Sequence, residues 1–294
     1  MRLLAAAFAL ALVALPAGCS SNPQNSQNSQ NGATVTSNSA TSTAGSNPRH
    51  VSYGSDPSQY GELWLPPSSA AQPSGRFPVV VLIHGGFWRS TYALDLMTPL
   101  AADLVGRGDA VWNIEYRRVG QSGGGYPGTL SDVASAIDSL TSMSAPLDLT
   151  DVVFIGHSAG GQLALWAAGR ATLADGAPGA HPRVVPRLAV GQGPVFDLVA
   201  ADAAGLGGGA VAAFLGGTAS AVPDRYAIAT PSTTSGVALV VVRAGNDVNV
   251  PGQFAVPTPV GHVRVIDIAG EDHFDLIDPA SKSWAAVVQL LQAR

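Results

Sequence analysis

The sequence predicts an α/β fold with a mostly parallel central sheet, helices on both faces and a small cap excursion. From residue 50 onward, short apolar segments alternate with longer segments whose apolar residues recur every three or four positions. Such alternation is typical of parallel sheets covered by helices. The run Phe77–Ile83 is apolar throughout, as in strands that are buried on both faces. Polar residues able to do chemistry follow several of these strands, at the sheet edge where α/β proteins carry their sites.

The strands are expected where Val, Ile and Leu dominate a short run, and the helices where the apolar spacing is three or four. In chain order, the pattern predicts two short strands within 51–65, a strand at 77–83, a helix over 91–105, a strand at 109–116, a helix over 129–142, a strand at 151–155, a helix ending near 169, strands at 187–191, 237–243 and 263–268, and a helix from 282. Residues 171–186 and 200–235 do not fit the alternation. The second of these segments is rich in Gly and Ala, which predicts a small cap and a fairly open pocket.

Composition excludes several classes of function. With 46% hydrophobic residues among 294, the chain has enough apolar material for one large domain, predicted over 49–294. Charged residues make up 12%, the net charge is −5 and no basic block occurs. The chain therefore lacks the basic surface that binding to nucleic acid requires, and this class of function is excluded. The spacing of His, Cys and carboxylate residues does not suggest a metal site.

The first 48 residues differ from the rest of the chain. Arg2 precedes an apolar run at 3–15, which is too short for a transmembrane helix and is followed by small residues. Residues 1–18 are therefore predicted to be an export signal. Residues 20–48 carry no charge and almost no apolar side chains, and this composition predicts a flexible tether.

Cys19, the only cysteine, follows Ala17 and Gly18 in a segment that resembles the lipobox of bacterial lipoproteins. The resemblance implies cleavage before Cys19 and lipidation of its thiol, so that 19–48 becomes a lipidated tether. We then expect the protein at a bacterial cell membrane, facing the outside or the periplasm. The alternative is an ordinary secretory signal with an incidental cysteine and a soluble, secreted product.

The segment Gly156-His157-Ser158-Ala159-Gly160 follows an apolar strand and precedes a helix. This context predicts a nucleophile elbow, a tight turn in which Ser158 is strained and its hydroxyl exposed at the helix N-terminus. The two glycines are expected because side chains there would collide across the turn. The Ala159 amide and the helix dipole would face an oxyanion formed on the target of Ser158.

A serine hydroxyl needs a base and an acid that orients this base. Asp247 and His273 each follow a predicted strand, and the order Ser158, Asp247, His273 is that of α/β-hydrolases. Sequence neighbours of His273 provide alternative acids, namely Glu271, Asp272, Asp275 and Asp278. The other histidines are interpreted as loop-shaping (His84), locked in the elbow (His157) or on the surface (His50, His181 and His262).

The loop after the strand at 77–83 reads His84-Gly85-Gly86-Phe87-Trp88. Its two glycines allow close approach of the backbone to a carbonyl, so the amide of Phe87 or Gly86 is the expected second oxyanion donor. Trp88 is predicted to be an aromatic wall for the substrate, or else loop packing, and Tyr126 to border the pocket. Among the other acidic residues, Glu115 is expected to pair with Arg117 and Arg118, whereas Asp95, Asp132 and Asp138 are expected on solvated helix faces.

These motifs resemble the α/β-hydrolase superfamily of esterases and lipases. His84 to Arg89 is similar to the HGG-[FY]-W signature of arylformamidase-like (kynurenine formamidase-type) and feruloyl-esterase-like members, and the runs 156–164 and 113–118 agree with it. The resemblance covers roughly 76 to the C-terminus. It implies hydrolysis of an ester or aryl amide through an acyl-enzyme, without a metal or other cofactor.

Export and a tether favour a broader carboxylesterase over a cytosolic formamidase. The sequence therefore predicts an exported serine esterase for short or aryl carboxylic esters. Two alternatives stay open: an amidase or peptidase with the same triad, and a surface lipoprotein that binds a ligand without catalysis.

Overall fold

The computed structural model describes residues 47–257 and 261–293, so the predicted signal segment, Cys19 and nearly all of the predicted tether lie outside the described residues. Its centre is an eight-stranded sheet. The strands are β1 (Arg49–Ser52), β2 (Tyr60–Trp64), β3 (Phe77–Ile83), β4 (Ala110–Ile114), β5 (Leu147–His157), β6 (Leu188–Gln192), β7 (Ala238–Ala244) and β8 (Arg264–Ile268). Their order across the sheet is β1-β2-β4-β3-β5-β6-β7-β8. β2 pairs antiparallel with β1 and β4, and all other neighbours are parallel.

Helices cover both faces of the sheet, as predicted. They are α1 (Thr98–Gly106), α2 (Gly128–Asp138), α3 (Ala159–Ala168), α4 (Leu198–Ala203), α5 (Leu206–Leu215), α6 (Pro223–Ala229) and α7 (Lys282–Gln292). α1 and α7 contribute to the core on one face, and α2 and α3 to the core on the other. Within the described residues, no helix has the length and apolar character needed to cross a membrane. The predicted α/β-hydrolase fold class is confirmed.

β3 shows why a continuous apolar run was the strongest strand signal. All seven of its residues are buried. Val79, Val81 and Ile83 pack into the core that contains α2 and α3, whereas Val80 and Leu82 pack into the core that contains α1 and α7. Because successive side chains of a strand point to opposite faces, a central strand between two helical layers needs apolar residues at every position.

Two of the element boundaries that differ from the sequence prediction have a clear physical cause. The helix expected over 91–105 is divided into a 3-10 turn, Leu94–Met97, and α1, which begins at Thr98. Pro99 lies in the first turn of α1, where a missing N–H has no cost, and this favours a helix start at that point. β5 begins at Leu147 instead of 151, because its first residues pair with Phe77 and Pro78 before a register shift in β3.

The segment expected to be a cap consists of the three short helices α4, α5 and α6, and residues 198–229 are called the cap below. α5 starts with a left-handed glycine turn, in which Gly207, Gly208 and Gly209 have φ values of 60°, 65° and 76°. Phe214 and Tyr226 are buried in the core. These two large side chains of the cap therefore point inward.

Two of the acidic residues expected on solvated helix faces are ion-paired. Asp132 is 1% exposed and binds Arg117, with the closest N–O distance at 2.7 Å. Asp138 binds the guanidinium of the buried Arg170 at 2.6 Å. Glu115 pairs with Arg118 as expected, whereas Arg117 forms its ion pair with Asp132.

Candidate active site

Ser158 lies in the turn between β5 and α3. Its φ is 56° and its ψ is −122°, a conformation that costs a residue with a side chain about 1 to 3 kcal/mol. The strain predicted for the elbow is thus present. A Cβ on Gly156 would lie 2.0 Å from the Gly160 carbonyl oxygen, and one on Gly160 would lie 2.2 Å from the His84 carbonyl oxygen. Both glycines are therefore required by close packing across the turn.

His273 and Asp247 meet at the carboxyl ends of β8 and β7. His273 Nδ1 lies 2.7 Å from Asp247 Oδ2, and both side chains are 4% exposed. The other carboxylate oxygen of Asp247 accepts the amides of Asn249 at 2.9 Å and Val250 at 2.8 Å. Because a carboxylate only accepts, Nδ1 carries the hydrogen, and Nε2 of the neutral ring is the nitrogen that can take up a proton.

The alternative acids near His273 have other roles. Each of the four accepts backbone amide hydrogens: Asp272 from Phe274 and Asp275, Asp275 from Asp272, Asp278 from Ala280, and Glu271 from Lys282 and Ser283. They shape the turn after His273 and the start of α7. The carboxylate that contacts the ring of His273 is that of Asp247.

The loop His84–Trp88 follows β3 and passes next to Ser158. A Cβ on Gly85 would lie 2.9 Å from the Ser158 Cβ, so only glycine allows this approach. Gly86, Phe87 and Trp88 have φ values of 107°, 52° and 54°, which makes the turn left-handed over three residues. The amide of Ala159, the first residue of α3, has no carbonyl partner within the helix. This loop and the start of α3 therefore bring backbone amides to the neighbourhood of Ser158.

Trp88 anchors this loop and does not line the cavity next to Ser158. Its side chain is fully buried, its Nε1 donates to Gln162 Oε1 at 3.1 Å, and its ring stacks on Phe214 at 4.6 Å between centroids. The prediction of a substrate wall at Trp88 is wrong, and the alternative of loop packing is right. A rigid amphipathic ring with a donor suits this position, since it joins α3 of the elbow to the cap.

Tyr126 also lies away from the cavity that Ser158 lines. It is half-buried, its ring faces the Arg225 guanidinium at 5.3 Å, and its amide donates to the Phe214 carbonyl at 2.7 Å. The prediction that it borders the pocket is therefore not supported. It contributes to the attachment of the cap instead.

A buried ionic network holds the base of the loop. His84 Nε2 lies 2.9 Å from Glu115 Oε1, and the Arg118 guanidinium lies 3.2 Å from the same oxygen. Burial alone would raise the pKa of Glu115, but the hydrogen bond from His84 and the charges of His84 and Arg118 hold it below its usual range. Tyr116 donates its hydroxyl to the His84 carbonyl at 2.8 Å. The loop thus starts from a fixed point.

The cavity at Ser158 has a volume of about 50 Å³. Its lining consists of Gly86, Phe87, Tyr92, Leu96, His157, Ser158, Asn249, His273 and Phe274. Typical small-molecule pockets measure roughly 300 to 1,000 Å³, so this cavity is small. Phe274 and Tyr92, exposed by 53% and 42%, add apolar surface to its lining.

Sequence reasoning did not find two residues that support the site. The Gln192 carbonyl accepts the Ser158 amide at 2.8 Å, and its side-chain amide donates to the Leu276 carbonyl. Gly193 has a φ of 53°, and a Cβ there would lie 3.1 Å from Asp247 Oδ2 and 3.3 Å from His273 Nδ1. The signal was available, because Gln192 is the last residue of β6 and Gly193 directly follows it.

The eight-stranded sheet and this site define an esterase-type α/β-hydrolase, a carboxylic ester hydrolase. Over residues 63–251 the chain matches the family model described as BD-FAE, and it belongs to that family. The expected relationship to α/β-hydrolase esterases is thereby confirmed. Among residues 47–257 and 261–293, no group of three or more His, Cys, Asp or Glu side chains could hold a metal ion.

Several solved esterases share the fold. A truncated carbohydrate esterase from gut microbiota superimposes with a TM-score of 0.69 at 18% identity, covering 84% of this chain and 96% of that one. Esterase B from Lactobacillus rhamnosis, inhibited by a tributyrin phosphonate, gives 0.69 at 20% identity, covering 83% and 82%. A bacterial heroin esterase gives 0.61 at 18% identity, covering 84% and 82%. None of the curated proteins matches the chain.

Proposed function

We propose that this protein hydrolyses esters of short carboxylic acids, including aryl esters, with Ser158 as nucleophile, His273 as base and Asp247 as acid. The observation that carries the proposal is the 2.7 Å contact between His273 Nδ1 and Asp247 Oδ2, because His273 lines the same cavity as Ser158. In this arrangement, the carboxylate fixes the tautomer in which His273 Nε2 is a proton acceptor.

The reaction starts when Ser158 Oγ attacks the acyl carbon and His273 Nε2 takes its proton. The amides of Ala159 and of Phe87 or Gly86 donate to the oxygen that becomes negative, and each such donor is worth about 3 kcal/mol in comparable enzymes. The bond to the leaving alcohol then breaks as His273 returns the proton to the alcohol oxygen. Water then attacks the acyl-enzyme and His273 removes its proton. The acyl–oxygen bond breaks as His273 returns this proton to Ser158 Oγ, which releases the carboxylic acid and free Ser158.

The cavity supports a short acyl group. A space of about 50 Å³ is far smaller than a typical small-molecule pocket, and its wall on the side of the loop His84–Trp88 is formed by Gly86 and Phe87. The leaving group must approach His273, which protonates it. Phe274 lies edge-on to the His273 ring, with 5.6 Å between centroids, and is half exposed. An aryl leaving group would therefore find an aromatic partner at the mouth of the site.

A fluorophosphonate probe tests the nucleophile. We expect one label per chain on Ser158 and none in Ser158→Ala, with turnover of p-nitrophenyl acetate about 10⁴- to 10⁶-fold lower in the variant. Labelling at another residue, or full activity of Ser158→Ala, would contradict the proposal. A folded wild-type protein without label or turnover would favour the alternative of a ligand-binding lipoprotein.

Matched substrates test the bond type. We expect p-nitrophenyl acetate to be cleaved much faster than p-nitroacetanilide, because p-nitrophenoxide can leave without a proton, whereas the anilide nitrogen needs one from His273. Equal or faster cleavage of the anilide, or efficient cleavage of an N-formyl aryl amine, would show that the same triad serves an amidase.

We also propose that the protein is exported and held at a bacterial membrane through a lipid on Cys19. The support is the apolar run at 3–15, the small residues before Cys19 and the uncharged segment that follows. Detergent partition of the full-length chain, expressed in a bacterium, tests this. We expect the wild type in the detergent phase and Cys19→Ser in the aqueous phase, whereas wild-type protein in the aqueous phase would favour the soluble alternative.

A further inference from the structure

His157 directly precedes Ser158, and its side chain contacts the backbone of His273. It is 2% exposed, its Nε2 lies 2.9 Å from the His273 carbonyl oxygen, and the two imidazole rings are 4.5 Å apart at an interplanar angle of 47°. Because the carbonyl only accepts, His157 Nε2 is the donor. The sequence placed His157 in the elbow but gave no role to this contact with His273.

The opposite edge of the His157 ring faces the loop His84–Trp88. A Cβ on Gly85 would lie 3.0 Å from His157 Nδ1, and Nδ1 is buried with no hydrogen-bond partner among the described residues. Burial and the neighbouring His273 lower the pKa of His157 to about 3, so its ring is neutral. In the neutral ring, Nε2 carries the hydrogen and Nδ1 is an uncharged acceptor. Nδ1 can therefore pack against Gly85 without a nearby opposite charge.

The position of His157 in the sheet gives this contact its importance. His157 is the last residue of β5 and is in register with Gln192 of β6. The edge strand β8 that precedes His273 is separated from β5 by β6 and β7. The carbonyl of His273 is thus tied back to the strand that carries Ser158, across two intervening strands.

We propose that His157 is a positioning residue, because its ring spans the gap between Gly85 and the His273 carbonyl. The ring thereby sets the distance of His273 from Ser158 and from the loop His84–Trp88. The ring also lines the cavity, but the proposed role acts through its neighbours, Gly85 and the His273 carbonyl. This inference rests on the proposed function, since it assigns His157 a role only in the reaction of Ser158 and His273.

Variants of His157 can separate the hydrogen bond from the volume of the ring. In His157→Gln, the side-chain amide can reach the place of Nε2 and donate to the His273 carbonyl. In His157→Asn, the amide is too short to do so, and in His157→Leu there is no donor. The turnover of p-nitrophenyl acetate is measured for each variant and divided by the number of sites titrated with a fluorophosphonate, so that misfolded protein does not count.

We expect a kcat per titrated site about 10²-fold lower in His157→Asn and His157→Leu, with KM nearly unchanged, because misplacement of a base by about 1 Å has an effect of this size. His157→Gln should recover most of the loss. A kcat per titrated site equal to that of the wild type in all three variants would overturn the inference while the proposed function stands. A wild type that takes no label would overturn the proposed function and this inference with it.

Discussion

Asp247 and His273, separated by 26 residues in the chain, are joined by a hydrogen bond of 2.7 Å from Nδ1 to Oδ2. The space for this pair is provided by Gly193 at the end of β6, where a side chain would crowd both groups. The four carboxylates nearest to His273 in sequence bind backbone amides instead. The geometry of three neighbouring strand ends therefore selects the acid.

Replacement of this acid is the first prediction. Asp247→Asn should keep the fold but lower kcat by about 10⁴-fold, as in the comparable change in a serine protease, because an amide can stabilise the wrong tautomer of the ring. Steady-state kinetics with p-nitrophenyl acetate measure this. Asp272→Asn is the control, since its side-chain oxygen can still accept the Phe274 amide. Similar losses in both variants would argue against Asp247 as the acid.

The buried indole of Trp88 leads to a second prediction. Trp88→Phe removes the bond to Gln162 Oε1 and should lower the free energy of unfolding by about 1 to 3 kcal/mol, since it leaves a buried acceptor unpaired. It should not alter the preference among acetyl, butyryl and octanoyl esters. Phe87→Leu, a change in the cavity lining, should alter that preference. A changed acyl preference in Trp88→Phe would restore the role of substrate wall to this residue.

The glycine turn of α5 allows a matched comparison. Gly207→Ala and Gly209→Ala both place a side chain at positive φ, which costs about 1 to 2 kcal/mol of stability. A Cβ on Gly207 would also lie 2.8 Å from the Phe87 ring, whereas one on Gly209 meets no atom within 4 Å. We expect a melting temperature in Gly207→Ala at least as low as that in Gly209→Ala, and a lower kcat/KM of the folded protein in Gly207→Ala alone. Equal kcat/KM values would show that the cap turn does not influence the cavity.

The stability of the protein should depend on pH through His157. Its pKa is about 3 in the folded chain, against an ordinary value of 6.5, mainly because of burial and then because of the neighbouring His273. Between these values the unfolded chain takes up a proton that the folded chain does not, so stability is fully present above pH 6.5 and decreases as the pH falls.

Urea unfolding at several pH values between 7 and 4.5 measures this dependence. We expect His157 to contribute a slope of up to about 1.4 kcal/mol per pH unit, and His157→Gln to show a flatter profile. His273 and His84 also face this ring electrostatically, and both are kept in the variant. Identical profiles for the wild type and the variant would contradict the prediction.

The sequence predicted what depends on short, continuous patterns. β3 was found at its correct ends because a doubly buried strand must be apolar at each position, and Ser158 because an elbow needs glycines on both sides. The start of β5 was missed, since it is set by pairing with Phe77 and Pro78 across a register shift in another strand.

The environments of Trp88 and of Asp132 were missed for a similar reason. Their partners, Gln162 and Phe214 for Trp88 and Arg117 for Asp132, lie at distances in the chain that no local pattern encodes. An aromatic residue beside a catalytic motif fits a substrate wall as well as an internal anchor, and only tertiary packing separates the two. The small cavity likewise results from contacts among four loops.

The stacking of Phe214 on Trp88 has a practical meaning for engineering. Replacing the cap with one from another protein, in order to widen the range of substrates, would also remove Phe214, which supports Trp88 in the loop after β3. A chimera that retains an aromatic ring at position 214 should keep its turnover, while one with a small aliphatic residue there should lose speed even on acetate esters. The cap thus includes one side chain that supports the loop His84–Trp88.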